Sequence, residues 1–313
     1  MRRCAAVTGA AGMLGTHLVR ALLDAGYEVV CSDIDCDEPQ PWGPDGPKLS
    51  FADVTRFSEL EDWIREANPS VVCHLAAKTD LEWCELNPRE AWLNNAVGTS
   101  DVARICARSR GTRLVYISTA GVFDGESSEY VEADVPRPIN EYGRSKFAGE
   151  WSVLTHAPES LVVRAGWMVG GPDGKDHKFI GRIIEQLRAG KSTIDAVDDK
   201  RGSPTYAPDF AANLVALLDA EQASGIFHMV SEGSVTRADV ARQIVGALGA
   251  PATVNPVSSD HFSDDFFAPR PASECLKNER LRALGLNLMR PWPEPVGDYR
   301  GGHVLANARP GTA

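Results

Sequence analysis

The chain has 313 residues, 43% of them hydrophobic and 24% charged, with a formal net charge of −11. A chain of this length and composition buries a substantial core, as one domain or as one domain and a smaller appendage. The acidic balance, without a basic stripe or an aromatic platform, excludes nucleic acid as a partner, and no apolar run approaches the length of a membrane span.

Met1-Arg2-Arg3 is followed by a short apolar run, Cys4 to Thr8, then by Gly9-Ala10-Ala11-Gly12-Met13-Leu14-Gly15 and an amphipathic run from Thr16 to Ala25. The order reads as strand, glycine turn and helix, not as a targeting segment. Glycines here let the backbone approach a pyrophosphate, whose charge is met by the amides of a helix N-terminus. Their G-x-x-G-x-x-G spacing is a variant of the dinucleotide fingerprint. Glu28 to Asp33 forms a second strand ending in an acid, which accepts from ribose hydroxyls and repels a 2′-phosphate. NAD is therefore expected in preference to NADP.

Asp35 to Pro47 reads as a loop, and Phe51-Ala52-Asp53-Val54 as a third strand whose end covers an adenine. Ser58 to Glu66 is helical. Ser70 to Ala77 is a buried strand whose small-residue exit, Ala76-Ala77, lets the backbone pass close to a nicotinamide; His74 within it reads as a core residue. Asn87 to Arg108 forms a long helix carrying Asn95, and Arg113 to Thr119 a fifth strand ending in two hydroxyls. Strand and helix alternate throughout. The fold class expected is α/β, a Rossmann-type doubly wound parallel sheet with ligands at the carboxyl ends of its strands.

In Asn140 to Glu150, Tyr142 and Lys146 stand four residues apart at the start of a helix and emerge on one face. A phenol titrates at about pKa 10, and an adjacent ammonium pulls it down toward working range. The pair reads as a proton donor and its tuner. Seven cysteines (Cys4, Cys31, Cys36, Cys73, Cys84, Cys106 and Cys275), odd in number and without a C-x-x-C pair, read as reduced thiols of a cytoplasmic protein. No metal is expected.

Gly9-x-x-Gly12-x-x-Gly15, Asp53-Val54, Ala76-Ala77, Asn95-x-x-Gly98-Thr99, Ser118-Thr119 and Tyr142-x-x-x-Lys146 together resemble the extended short-chain dehydrogenase/reductase family. Ile117 to Gly125, Asn140 to Glu150 and Gly202-Ser203-Pro204-Thr205 are nearest its dTDP-4-dehydrorhamnose reductase (RmlD-like) branch, with the NAD-dependent epimerases close by. The resemblance implies a catalytic set of Thr119, Tyr142 and Lys146. It implies a cofactor site of Gly9, Gly12, Met13, Leu14, Gly15, Asp33, Asp53, Val54, Leu75, Ala76, Ala77, Asn95 and Ser118, with Tyr142 and Lys146 shared. Where the branch usually has Asp-Tyr after the threonine this chain has Ala120-Gly121, and where it usually has Asn-Phe this chain has Lys178-Phe179. Ala120 carries no carboxylate, so acid-base dehydration is not expected.

Beyond Ser160 to Arg164, a sixth strand, the alternation loosens into a smaller C-terminal α/β lobe that should cover the nucleotide domain. Helices are expected at Phe179 to Ala189, Pro208 to Ala220 and Leu276 to Leu284, and a strand and helix at Gly225 to Val230 and Val235 to Leu248, with His228 structural. The organisation expected is a Rossmann domain over 1–165, a mainly substrate-binding lobe over 166–296 with some segments returning to the core, and a mobile tail over 297–313. Candidate substrate residues are Lys78, Leu81, Glu82, Thr119, Ala120, Lys178, Arg201 and Arg270, the cations among them suited to phosphate oxygens. The expected function is reduction of a keto group on a nucleotide-activated sugar. A nucleotide-sugar epimerase with retained NAD and a non-catalytic dinucleotide-binding subunit are the alternatives, and a homodimer is possible in each case.

Overall fold

The computed structural model describes residues 3–36, 42–43, 46–109, 111–171 and 179–295. Lys178 and the tail 297–313 lie outside them. The first half alternates as its periodicity requires: β1 (Cys4–Thr8), α1 (Met13–Asp24), β2 (Glu28–Asp33), β3 (Leu49–Phe51), α2 (Phe57–Ala67), β4 (Val71–His74), α3 (Leu81–Leu86), α4 (Pro88–Trp92), α5 (Thr99–Arg108), β5 (Arg113–Thr119), α6 (Glu141–His156) and β6 (Leu161–Ala165). The second half holds β7 (Trp167–Val169), α7 (Phe179–Arg188), β8 (Thr193–Val197), β9 (Arg201–Gly202), β10 (Pro204–Tyr206), α8 (Ala207–Asp219), β11 (Gly225–His228), β12 (Val235–Thr236), α9 (Arg237–Leu248), β13 (Thr253–Val257), β14 (Ser273–Glu274) and α10 (Glu279–Ala283).

Seven strands form one parallel sheet in the order β11-β6-β5-β4-β1-β2-β3. Strands such as β4 and β6 are buried throughout because helices cover both faces. Alternation along β1 shows it: Ala5 and Val7 pack with Leu14 and Leu18 of α1 and Leu214 and Leu217 of α8, while Ala6 packs with Ile64 of α2, Val102 of α5 and Val153 of α6. A second core, built from Ile180, Ile183 and Ile184 of α7, Ile194 of β8 and Ile244 of α9, holds the smaller lobe.

Two segments expected in the lobe belong instead to the main body. β11 pairs with β6 at the sheet edge, and α8 lies across α1. Their residues carry the same apolar patterning in either place, so only the long-range pairing distinguishes the two. The third strand also ends earlier than expected, at Phe51, because Asp53 accepts from the amide and hydroxyl of Thr55 and starts a turn. Among the described residues no helix is long and apolar enough to cross a membrane.

Candidate active site

The glycine turn joins β1 to α1. Gly9 has φ +69°, and a Cβ there would come within 2.7 Å of the Ala76 amide nitrogen, so the turn and the exit of β4 touch backbone to backbone. Gly12 caps α1 with no side chain closing the first turn, and α1 has no acidic residue there. The first-turn amides are left to an anion. At the rim, Asp33 accepts from Ala11 N–H at 3.0 Å and from Ile34 N–H at 2.8 Å, which holds its carboxylate over the turn. These features fit a dinucleotide: an uncapped amide cradle, close backbone approach, and one fixed acid beside it. Leu14 and Gly15 are buried and Met13 half-buried, so the side chains of this stretch pack inward.

Next along the edge, Asn95 holds the chain after β4. Its Oδ1 accepts from Lys78 N–H at 2.8 Å, while its Nδ2 donates to Lys78 O at 2.9 Å and to Ser145 Oγ at 3.0 Å. Ser145 Oγ in turn donates to Tyr142 O. Asn95 sits in a π turn, Leu93–Gly98, within an otherwise α-helical stretch, and such a turn reorients side chains locally. Asn95 thus positions Lys78 and α6 with its side chain rather than facing a ligand.

α6 begins at Asn140, whose Oδ1 accepts from Gly143 N–H at 2.7 Å and whose Nδ2 donates to Pro269 O at 2.8 Å. Gly143 is required: a Cβ there would lie 2.2 Å from Gly121 O, so α6 rests directly on the turn after β5. That contact brings the Tyr142 phenol close enough to the Thr119 hydroxyl to perturb it, and the same hydroxyl accepts from Gly121 N–H at 3.1 Å. Lys146 Nζ donates to Ile117 O at 2.7 Å and lies over the Tyr116 ring at 4.1 Å.

The electrostatics of the pair differ from the expectation. Burial pushes Tyr142 up to about 12, with the Thr119 hydroxyl opposing and Cys84 and Glu274 reinforcing the rise. Burial pulls Lys146 down to about 7, opposed by Glu150. The Lys146 ammonium is engaged by Ile117 and Tyr116, and desolvation dominates both groups, so Lys146 does not lower Tyr142. A lysine with a depressed folded pKa leaves the unfolded chain holding the extra proton between about 7 and 10.5, so its stability penalty is full below about pH 7 and relieved above it. The melting temperature of Lys146→Met should therefore exceed that of the parent most at pH 6, with the gap closing toward pH 10. A gap constant with pH in thermal melts would remove this account.

The RmlD substrate binding domain model matches residues 3–300. The chain belongs to that family. A dTDP-4-dehydrorhamnose reductase of Mycobacterium tuberculosis is 37% identical over 292 residues, covering 91% of this chain and 88% of that protein. A dTDP-4-keto-6-deoxy-D-glucose reductase of Streptomyces niveus is 38% identical over 291 residues, covering 91% and 92%. The crystal structure of a dTDP-4-dehydrorhamnose reductase of Bacillus anthracis in complex with NADP matches with a TM-score of 0.83 at 29% identity, over 95% of this chain and 98% of that one.

Within this RmlD-family chain several expected site residues have other occupations. Ser118 Oγ donates to Glu150 Oε1 at 2.5 Å, so its hydroxyl belongs to the scaffold. Asp53 gives one carboxylate oxygen, Oδ1, to Thr55 and keeps the other clear of it, and Val54 packs under Gly98. Ala120, 1% exposed, turns into a cluster with Val122, Phe123 and Tyr130. Glu82 and Arg270 find each other: Arg270 donates to Oε1 at 2.7 Å and to Oε2 at 3.0 Å. Leu81 opens α3, capped by Asp80, and Lys78 Nζ lies 5.3 Å from the Trp83 ring centroid.

Arg201 leaves the group altogether. Gly202 of β9 pairs with Glu274 of β14, and both lie against Trp167, so Arg201, one residue earlier, emerges on the opposite face and donates to Ser234 O and Oγ at 3.0 Å. His74 is a core residue, as expected. Thr99 Oγ1 donates to Asn95 O, so His74 Nε2–H donates to Thr99 and Nδ1 accepts from Thr8, while burial holds the ring neutral with a pKa of about 3.

Three residues that sequence reasoning missed border Thr119 and Tyr142. Glu274 Oε2 accepts from Trp167 Nε1–H at 2.8 Å, its other oxygen lies beside Gly121, and its charge reaches Tyr142. Arg237 packs over the Trp167 ring. Trp167, in the glycine-rich run after β6, was the only one with a local signal. Glu274 and Arg237 lie more than 90 residues from Thr119 in a weakly patterned region.

Proposed function

We propose that this chain reduces the 4-keto group of a dTDP-activated 6-deoxyhexose. Bound at the glycine turn and the β4 exit, a nicotinamide dinucleotide supplies the hydride. Thr119 and Tyr142 hold the substrate carbonyl oxygen, and Tyr142 gives up its proton to that oxygen as the carbon is reduced. A phenol held near 12 keeps its proton at neutral pH, which suits the reductive direction. Lys146 steadies the end of α6 and offers positive charge beside the ribose. The observation that carries the reading is the meeting of Thr119, Tyr142 and Lys146 beside an uncapped amide cradle, in a chain whose Ala120-Gly121 brings no carboxylate. Incubation with a dTDP-4-keto-6-deoxyhexose should oxidise one NAD(P)H per sugar reduced. Sugar isomerisation without net cofactor turnover would instead establish the epimerase.

NAD is the cofactor that Asp33 favours, since its fixed carboxylate lies at the rim where a 2′-phosphate would come. NADH should bind about tenfold tighter than NADPH, and Asp33→Ser should erase the difference. Equal binding by the parent chain in titration calorimetry would refute the preference. All seven cysteines are reduced thiols, which fits residence in a reducing cytoplasm. A homodimer across α5 and α6 would cover the apolar surface of Trp92, Val97 and Trp151, the last 65% exposed. Sedimentation at the monomer mass would dismiss it.

A further inference from the structure

Arg237, the first residue of α9, is half-buried, and its guanidinium lies 3.9 Å from the Trp167 ring centroid and 4.9 Å from that of Phe179. It makes no hydrogen bond or ion pair with a described side chain or backbone group. A guanidinium brings five N–H donors in a rigid fork, and leaving them without acceptors in a partly desolvated cleft is costly. Two aromatic faces hold the plane in place, but they satisfy none of those donors. Among the described cations expected at the substrate, Arg270 is spent on Glu82, Arg201 donates to Ser234, and Lys78 lies against the Trp83 ring.

The charges around Arg237 are mixed, with the anion Glu274 and the cation Arg270 both acting on it. Burial lowers it to about 10, Glu274 opposes that fall, and the positive Arg270 adds to it, so it is still charged at neutral pH and repelled by a second cation. An anion received here relieves that repulsion. Glu274 stands between Gly121 and Trp167, and a carboxylate there disfavours a second anion beside Thr119 and Tyr142, which leaves the Arg237 end of the cleft for the anionic part of a ligand.

We propose that Arg237, clamped between Trp167 and Phe179, is the anchor for the diphosphate of the nucleotide sugar whose carbonyl lies at Tyr142. The assignment rests on the nucleotide-sugar reading above. Its test is calorimetric titration of the full chain, as parent, Arg237→Gln and Arg237→Lys, with dTDP, thymidine, UDP-glucose and UDP-glucuronate, and with NADH as the folding control. One or two charge-assisted hydrogen bonds correspond to about 10- to 100-fold in affinity. Arg237→Gln should weaken dTDP by that factor with thymidine and NADH unchanged, and Arg237→Lys should fall between. Parent and Arg237→Gln binding dTDP equally would overturn the assignment. A loss confined to UDP-glucuronate would overturn it too, by moving the partner to a sugar carboxylate. A parent chain that binds NADH but no nucleoside diphosphate would sink the nucleotide-sugar reading itself.

Discussion

Tyr142→Phe should lower kcat by about 10²- to 10⁴-fold while dinucleotide affinity changes by no more than a few-fold. The substitution removes one oxygen and leaves the ring that packs at the start of α6. Everything that places the ring survives: the Asn140 cap, the contact of Gly143 with Gly121, and the Ser145 hydrogen bond to Tyr142 O. What is lost is the proton and the phenol oxygen beside Thr119. Thr119→Val should cost less, because it removes a partner of the carbonyl oxygen but not the proton donor. Steady-state rates of NAD(P)H oxidation separate the two, and a Tyr142→Phe chain with parental kcat would end the proton-donor role.

The largest stability effect is expected at Arg164→Met, about 3 to 5 kcal/mol. Arg164 is fully buried in β6 and pairs with Glu150 of α6 through Nε at 2.8 Å and Nη2 at 2.7 Å. The cluster is well satisfied. Ser118 donates to Glu150, and His228, held neutral with a pKa of about 3 by burial and by Arg164, receives from Arg164 at Nε2 and donates from Nδ1 to Lys277 O. Removing the guanidinium alone leaves Glu150 charged and buried against an apolar neighbour. Removing both charges, as in Glu150→Leu with Arg164→Met, should restore most of the loss, because the desolvation of two ions disappears with them. Thermal unfolding should show a fall on the order of 10 °C for the single variant and a much smaller one for the double. A double variant no more stable than Arg164→Met would mean that the pair holds α6 by geometry, not by charge compensation. Because the same helix carries Tyr142 and Lys146, the single variant should also lose activity.

Legibility followed the range of each interaction. Periods of two and of 3.6, glycine spacing and turn residues are written within a dozen positions. β2 and β5 were therefore bounded correctly, and the glycine turn, Asp33, the β4 exit and Thr119 were legible as one sheet edge, with Tyr142 and Lys146 joined to it by the family resemblance. The same local signals could not say what a polar side chain would meet. Ser118 ends β5 and donates to Glu150, while Asp53, past the end of β3, gives one carboxylate oxygen to Thr55.

The acid–base pair shows the limit most clearly. Spacing put Tyr142 and Lys146 on one face, and elementary electrostatics then predicted a lowered phenol. Packing reversed the sign, since burial opposes ionisation of the phenol and protonation of the amine alike.

By itself the sequence determined a doubly wound sheet, the edge at which ligands meet it and the residue types able to move a proton there. Only the tertiary structure decided which charges stand free. Glu82 and Arg270 are 188 residues apart and cancel, β-strand alternation turns Arg201 away, and Arg237 is left between two aromatic rings with no acceptor among the described residues. A hydrogen-bond donor reaches about 3 Å through space whatever the separation along the chain, so its partner is a property of the packed fold.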